Sequence, residues 1–559
     1  MKKILIANRG EIALRIVRAC RDAGYTSVAI ASEADRQALH ARSADEFHVL
    51  KGNAPRETYL NQQAILAIAA DAGADAVHPG YGLLSENETF AAAVQEAGLT
   101  WIGPAPEAIA QLGDKVAARA IARRAGAPLL PSWEGDDLTT EKARAFIDEY
   151  GLPVIVKAQN GGGGRGMRIV REKADVEGQI SAARREAELA FGRPECFIER
   201  YIESARHVET QCLADAYGRV VVVSTRDCTL QRRHQKLVEE APAPFLRSDQ
   251  LARLTDASIA ILSAVGYRGA ATCEFLLTGE GDIFFLEVNT RIQVEHPVTE
   301  EVTGVDLIRE MFKIAEGEHL PDSLSPVRGH AIEFRINAED PWADFRPTPG
   351  RINQLQLPGG PGVRNDFGYA AGDSVPPYYD SMIGKIIVVG RDRQEALARA
   401  QRALGEFRAG GLTTIAPLHQ AILSAPEFSA RAAEGFKIHT RWIDDELQRL
   451  ATIAKSFAVS AEVTEENQLD MGPAGGDESL PANVEPALYR VGVKAPLSGV
   501  IMELCVKEGD TVHLGDIVAI MEAMKMEQPV VADVAGVVAK INVGQGSFIE
   551  MDGDIMGLN

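Results

Sequence analysis

Near its C-terminus the chain repeats itself. Ala495-Pro496-Leu497-Ser498-Gly499-Val500 returns as Ala532-Asp533-Val534-Ala535-Gly536-Val537, Gly509 returns as Gly546, and Gly515-Asp516 returns as Gly553-Asp554. Self-similarity of this kind means that one supersecondary unit is built twice, each copy burying the other's apolar face. The repeat predicts two matching β layers over 488–559. Where the first copy must turn into the second lies Glu522-Ala523-Met524-Lys525-Met526-Glu527, which puts Lys525 at an exposed hairpin tip. A lysine displayed there invites covalent modification.

Upstream, Trp442, Leu447, Leu450, Ile453 and Phe457 keep helical spacing, and Glu462 to Pro486 then turns acidic and rich in Gly, Pro and Asn. Residues 446–487 read as a helix followed by a flexible acidic linker. As a coil, the stretch from Ala458 to Ala487 would span about 30 Å r.m.s. and about 100 Å fully extended, so whatever it carries can travel. The whole chain, at 559 residues, is too long for one core. Its 58 Lys and Arg against 79 Asp and Glu give a formal charge of -21, which disfavours nucleic acid and anionic membranes as partners. An anionic substrate must therefore meet a local basic pocket. No apolar run approaches the roughly 18 residues of a spanning helix. Cys20, Cys196, Cys212, Cys228, Cys273 and Cys505 lie far apart, with neither a disulfide framework nor a zinc knuckle. The expectation is a cytoplasmic protein in a reducing compartment.

The first 445 residues read as one catalytic unit in three parts. Over 1–113, Ile4 to Ala7 and Val28 to Ala31 are strand-like and Glu11 to Ala23 is helical, a parallel α/β start. Its first turn carries only Gly10, so a dinucleotide site is not expected there. Over 114–208, strand-like Val154 to Lys157 and Met167 to Val170 flank Gly161-Gly162-Gly163-Gly164-Arg165-Gly166, which suggests a small mobile lid. Over 209–445, β-rich segments and amphipathic helices alternate without a linker.

The glycine run formally matches G-x-G-x-x-G, but a strand follows it rather than a helix, so a phosphate-covering hairpin fits better. A merely flexible loop would carry the same glycines. Lys157 just before it and Lys115 offer cations to a polyphosphate. Thr272 to Leu277 and Ile283 to Asn289 read as a β-hairpin, which sets Glu274 roughly opposite Glu287. Two carboxylates so placed repel unless a cation lies between them, and with Asn289 they form a hard oxygen set suited to magnesium. Arg291, Gln293 and Glu295 continue the same alternation.

The Met-Lys-Met tip resembles the biotinyl domain of biotin-dependent carboxylases, in which Lys525 would carry biotin in amide linkage; lipoyl domains share the architecture but usually lack the flanking methionines. Residues 1–445 resemble biotin carboxylase of the ATP-grasp superfamily, through Ile6-Ala7-Asn8-Arg9-Gly10-Glu11-Ile12-Ala13, His78-Pro79-Gly80-Tyr81-Gly82 and the run from Arg291 to Glu300. The implied fold is α/β and α+β: a Rossmann-like N-terminal domain, a mobile lid and a β-rich C-terminal domain, tethered to an all-β barrel sandwich.

Carried over position by position, the resemblance implies that Lys115, Lys157, His207 and His234 contact ATP, with Gly161, Gly162, Gly163, Gly164, Gly166, Met167, Gln231 and Leu276 around it and Glu199 and Ile202 bordering adenine. Glu274, Glu287 and Asn289 would hold magnesium, with manganese as the alternative ion. Lys236, Arg291, Gln293, Val294 and Glu295 would bind bicarbonate, with Glu295 the base. Arg335 would stabilise charged biotin, and Tyr81 and Asp380 would line the biotin side. Arg200 follows Glu199 where a lysine is common.

The implied reaction is phosphorylation of bicarbonate by ATP to carboxyphosphate, then carboxylation of biotin. A carboxyltransferase (beta) subunit would finish the reaction on an acyl-CoA, as in the α subunits of acyl-CoA carboxylases. A two-polypeptide pyruvate or other oxo-acid carboxylase is the enzymatic alternative, urea or amide carboxylation another, and a biotin-bearing scaffold the non-enzymatic one. A biotin protein ligase is an implied partner, and a homo-oligomer through the carboxylase region is expected.

Overall fold

The computed structural model describes residues 1–135, 137–159, 166–323, 325–465, 491–497, 499–523 and 526–559. Gly161 to Gly164, on the ATP side of the sequence reading, and Lys525 lie outside the described residues.

The N-terminal part is a five-stranded parallel sheet in the order Glu46–Val49, Thr26–Ala31, Lys3–Ile6, Ala76–His78, Thr100–Trp101, with its centre formed by the first strand. That doubly wound order is the Rossmann-like arrangement. Its central strand is buried on both faces, as apolar Ile4, Leu5 and Ile6 require. The helix Gly10–Ala23 follows the first strand and ends at Gly24, whose left-handed backbone caps it. The lid region holds a four-stranded sheet, Ser132–Trp133, Cys196–Arg200, Val154–Ala158 and Met167–Val170, covered by helices Thr140–Tyr150 and Val176–Phe191.

The rest of the catalytic unit is built on one eight-stranded antiparallel sheet. Its order is Ile283–Asn289, Gly269–Thr278, Ala205–Ala214, Val220–Arg232, Gln235–Ala241, His330–Asn337, Met382–Gly390, Val363–Phe367. The hairpin read from sequence is present: Glu274 and Glu287 are register partners on adjacent strands. The strand does not run on to Glu295, however; it ends at Asn289, and Arg291, Gln293 and Glu295 lie in the turns before helix His296–Thr303. Pro297 in that helix's first turn, with φ preset for helix, explains why the period of two in the sequence gives way there.

Glu240 anchors the helical cover to this sheet. Its carboxylate accepts from His330 Nε2 at 2.8 Å and from Arg393 Nε and Nη2 at 2.6 and 3.0 Å. The Arg393 guanidinium lies over Phe245, Phe428 and Phe436. Burial would raise the Glu240 pKa, but Arg393 and His330 override it and hold it at about 2. Glu240→Gln leaves a buried guanidinium without its counter-charge and should cost about 3–5 kcal/mol in chemical denaturation. Because the folded pKa lies below the unfolded one, this stabilisation is present above the ordinary carboxylate range and fades as pH falls toward about 2. The gap between the variant and the parent chain should therefore narrow with acid.

Helix Trp442–Glu465 extends eight residues past the last apolar residue of its predicted stripe, Phe457, and so takes up the first part of the expected linker. No Gly or Pro interrupts it there. The C-terminal region forms two four-stranded sheets: Val491–Lys494, Asp554–Leu558, Gly536–Ile541 and Thr511–Val512 in one, and Met526–Val531, Ile517–Ala523, Gly499–Leu504 and Phe548–Ile549 in the other. Each sheet takes two strands from each sequence copy, so the halves interlock around Ile501, Val518, Met521, Val538 and Met556. Ala523 pairs with Met526, making these strands the two arms of the hairpin that contains position 525. Among the described residues, no helix is long and apolar enough to cross a membrane.

Candidate active site

Strands of the large sheet turn an unusual number of charged side chains inward. The ammonium of Lys236, on Gln235–Ala241, donates to three carboxylates at once: Glu209 at 2.7 Å, Glu274 at 2.8 Å and Glu295 at 2.7 Å. All three acids are buried. Burial disfavours the ammonium, yet the acids keep Lys236 well above its ordinary pKa. Burial would likewise raise the Glu295 pKa, but Lys236, aided by Arg335 and Arg226, lowers it, so Glu295 is a carboxylate at neutral pH. Arg335 completes the clamp, donating Nη2 to Glu295 at 3.0 Å and Nε to Glu239 at 2.6 Å. The base of the sequence reading is thus ionised and held on both oxygens.

Among the residues that the sequence reading gave to ATP, Glu199 accepts from Arg119 at 2.9 Å, and Lys157 contacts its other oxygen. Met167 is the register partner of Lys157, and Leu276 is that of His207. His207 Nε2 lies 3.1 Å from Glu274, and Gln231 bonds His207 Nδ1 at 2.9 Å and is the register partner of Lys236. Burial opposes charge on His207, but Glu274 raises its pKa to about 9. His234 sits in the tight turn after Arg232 with φ of 65°, and Ile202 lies half-buried just beyond Glu199.

The hairpin brings together the residues read from sequence as magnesium ligands. Glu274 and Glu287 face one another across the hairpin, Asn289 donates to Glu274 at 2.8 Å, and Lys115 lies 3.4 Å from Glu287. Lys115, Lys236 and His207 supply positive charge to these acids, the role a hard cation would share. Gln293 donates to Glu274 at 3.2 Å, and Arg291 bonds the Asn289 side-chain carbonyl at 2.8 Å and Glu86 at 3.2 Å. The donor chemistry fits magnesium.

Among the residues that the sequence reading gave to biotin, Tyr81 donates its hydroxyl to Glu11, and both Arg335 and Asp380 act electrostatically on Tyr81. Gly80, with φ of 65°, lets the loop pass Asn8, whose side-chain amide bonds the Pro79 and Tyr81 carbonyls at 2.6 and 2.7 Å. A Cβ at Gly80 would come within 2.9 Å of that amide nitrogen. Asp380 caps the following turn through the Met382 N–H. Tyr378, two residues earlier, packs its ring against Phe548 of the C-terminal region, with centroids 4.7 Å apart.

The sequence reading did not single out Glu209, Arg226, Glu239 or Arg119. Arg226 backs Glu209 at 2.5 Å and also bonds Gln211, Thr272 and Thr299. A signal existed: His207, Glu209 and Gln211 alternate along one strand, as polar residues on an inward face must. Arg119, on helix Lys115–Arg124, offered no comparable pattern.

Four family models match the chain: "Biotin carboxylase, N-terminal domain" over 1–109, "Carbamoyl-phosphate synthase L chain, ATP binding domain" over 114–323, "Biotin carboxylase C-terminal domain" over 333–445 and "Biotin-requiring enzyme" over 491–558. The biotin-dependent acyl-coenzyme A carboxylase alpha3 subunit of Mycobacterium leprae is 46% identical over 98% of this chain and 97% of its own. One pyruvate carboxylase subunit of Methanothermobacter thermautotrophicus is also 46% identical, over 79% of this chain and 89% of its own. The biotin carboxylase domain dimer of Hydrogenobacter thermophilus 2-oxoglutarate carboxylase, solved with MgADP, ADP and bicarbonate, superimposes with a TM-score of 0.77 at 41% identity, over 80% of this chain and 98% of that one. The inward carboxylate cluster, the ATP-binding region and the interlocked C-terminal sandwich therefore belong together: this chain is a member of the biotin carboxylase family, with a biotin-requiring domain on the same polypeptide.

Proposed function

We propose that the chain uses ATP and bicarbonate to carboxylate biotin carried on its own Lys525, and that it serves as the α subunit of an acyl-CoA carboxylase. The observation that carries the catalytic reading is Glu295, ionised and clamped between Lys236 and Arg335. In this reading Lys236, Arg291, Gln293 and the Val294 backbone bind bicarbonate, and Glu295 removes its proton so that the oxygen can attack the γ-phosphorus. Lys115, Lys157 and His207 hold the phosphates, with charge fixed in advance of the reaction. Gly161 to Gly164, Gly166, Met167, Glu199, Ile202, Gln231, His234 and Leu276 complete the ATP site. Magnesium, on Glu274, Glu287 and Asn289, would neutralise phosphate charge. Biotin, when bound, supplies the ureido nitrogen that accepts the carboxyl group; Arg335 offers its cation to the ureido oxygen, with Tyr81 and Asp380 beside it.

The acyl-CoA reading is supported by the Mycobacterium leprae relative, whose match runs through the carrier region, whereas that of the pyruvate carboxylase relative covers 79% of the chain. It implies a biotin protein ligase that loads Lys525, a cytoplasmic setting and a carboxyltransferase on a separate polypeptide. The Hydrogenobacter thermophilus dimer supports self-association through the carboxylase region. Bicarbonate-dependent ATP hydrolysis stimulated by free biotin tests the first half-reaction; its absence from correctly folded protein would leave only a biotin-bearing scaffold. Isolation of the biotinylated complex, followed by carboxylation assays with acetyl-CoA, propionyl-CoA, pyruvate and 2-oxoglutarate, tests the second. Turnover of an oxo acid alone would replace the acyl-CoA assignment.

A further inference from the structure

One buried cation has no place in the scheme above. Lys385, on strand Met382–Gly390, is completely buried, as is unusual for a lysine unless it is paired. Its ammonium donates to the Val294 carbonyl at 2.7 Å and lies 3.0 Å from Glu11 Oε1. That same Glu11 oxygen accepts the Tyr81 hydroxyl. Burial opposes the charge on Lys385, but Glu11, Glu333 and Asp366 override it and raise its pKa. The cation is permanent.

The two partners belong to opposite sides of the active site. The Val294 carbonyl and the Glu295 N–H share one planar peptide, so a bond to that oxygen fixes the plane from which the Glu295 side chain departs. Glu11 sits in the first turn of helix Gly10–Ala23 and reaches the active site through Tyr81. Strand register adds a third link: Lys385 is the direct partner of Arg335, the other group that grips Glu295. One ammonium thus ties the bicarbonate-side backbone to the biotin-side tyrosine.

We infer that Lys385 is a positioning residue that couples the bicarbonate and biotin sites, so that the two substrates meet in one fixed geometry. The inference rests on the assignment of Arg291 to Glu295 to bicarbonate and of Tyr81 to biotin. Cutting a charged hydrogen bond that sets a reacting group's orientation is expected to cost about tenfold or more.

The test is steady-state ATP hydrolysis by the full-length chain, with bicarbonate, free biotin and ATP varied in turn. Lys385→Met should raise KM for bicarbonate and for biotin by about tenfold each and leave ATP affinity within about twofold. Glu11→Gln is the sharper probe, because among the described residues it is Lys385 that links Glu11 to the Val294 peptide. It keeps an acceptor for Tyr81 and weakens the ion pair, and it should raise KM for bicarbonate as well as for biotin. A rise in KM for biotin alone would overturn the coupling, as would an equal loss of ATP affinity in both variants. Should Lys385→Met fail to fold, Glu11→Gln decides. Tyr81→Phe separates the two levels: if it leaves KM for biotin unchanged, the biotin-side assignment has failed, and the coupling inferred from it falls with it.

Discussion

Glu295→Gln should lower bicarbonate-dependent ATP hydrolysis by about 100-fold or more, the loss typical of a general base, while nucleotide still binds. The amide keeps the size of the side chain but cannot take a proton. It also removes the charge that both Lys236 and Arg335 grip, at 2.7 and 3.0 Å. Lys236 retains Glu209 and Glu274, so the cation stays buried and paired, and Arg335 retains Glu239. The site therefore keeps its shape and loses its base. The Glu199, Lys157 and Arg119 cluster does not include Glu295, so nucleotide affinity, read by direct binding, should report an intact ATP site. The pH profile gives a second check. Since the lysine and arginines lower the Glu295 pKa against burial, the acid limb of the parent enzyme should lie below the ordinary carboxylate range and should vanish in the variant. Near-normal turnover by Glu295→Gln would remove the base assignment.

How far the sequence alone reaches depends on the kind of constraint. The Glu274 and Glu287 pairing was legible because a turn between two β-rich runs fixes register, and the fold places these two opposite one another. The interlocked sandwich was legible because the repeat is covalent information. Arg291, Gln293 and Glu295 were legible as a set, but not as a loop: a period of two is shared by strands and by some extended turns, and the helix start at Pro297 decides between them. Glu209 could have been read from its alternation with His207 and Gln211, but Arg226 and Glu239 were hidden because their meaning comes from partners far away in the chain. Arg226 touches residues on three other elements, and nothing near it in sequence announces that. Lys385 is the extreme case. It lies between Gly384 and the apolar Ile386, Ile387, Val388 and Val389, in a strand whose neighbours give no hint of charge, and only the packing of helix Gly10–Ala23 against the sheet reveals its partner.

Lys525→Ala should abolish carboxyl transfer to any acyl-CoA acceptor while carboxylation of added free biotin continues within about twofold of the parent chain, as for distant independent sites. The argument needs only the strands that bracket position 525. Ala523 and Met526 are register partners, so position 525 falls in sequence between two paired strands, and replacing the proposed attachment lysine leaves both sheets their cores of Ile501, Val518, Met521 and Val538. The carrier is thus disarmed without being unfolded. Tethering matters because a linked carrier meets the carboxylase at an effective concentration of order millimolar, which free biotin must match in bulk solution. The variant should therefore require added biotin at high concentration for ATP hydrolysis, and it should fail to bind streptavidin. Tyr378 and Phe548 mark where the two regions touch, beside Asp380, and they supply a control. Phe548→Ala keeps the attachment lysine and should slow carboxylation of the tethered biotin in a single turnover, with free-biotin activity unchanged. If Lys525→Ala lost both activities together, the carrier would be part of the carboxylase site itself, and the proposed division of labour between the two regions would fall.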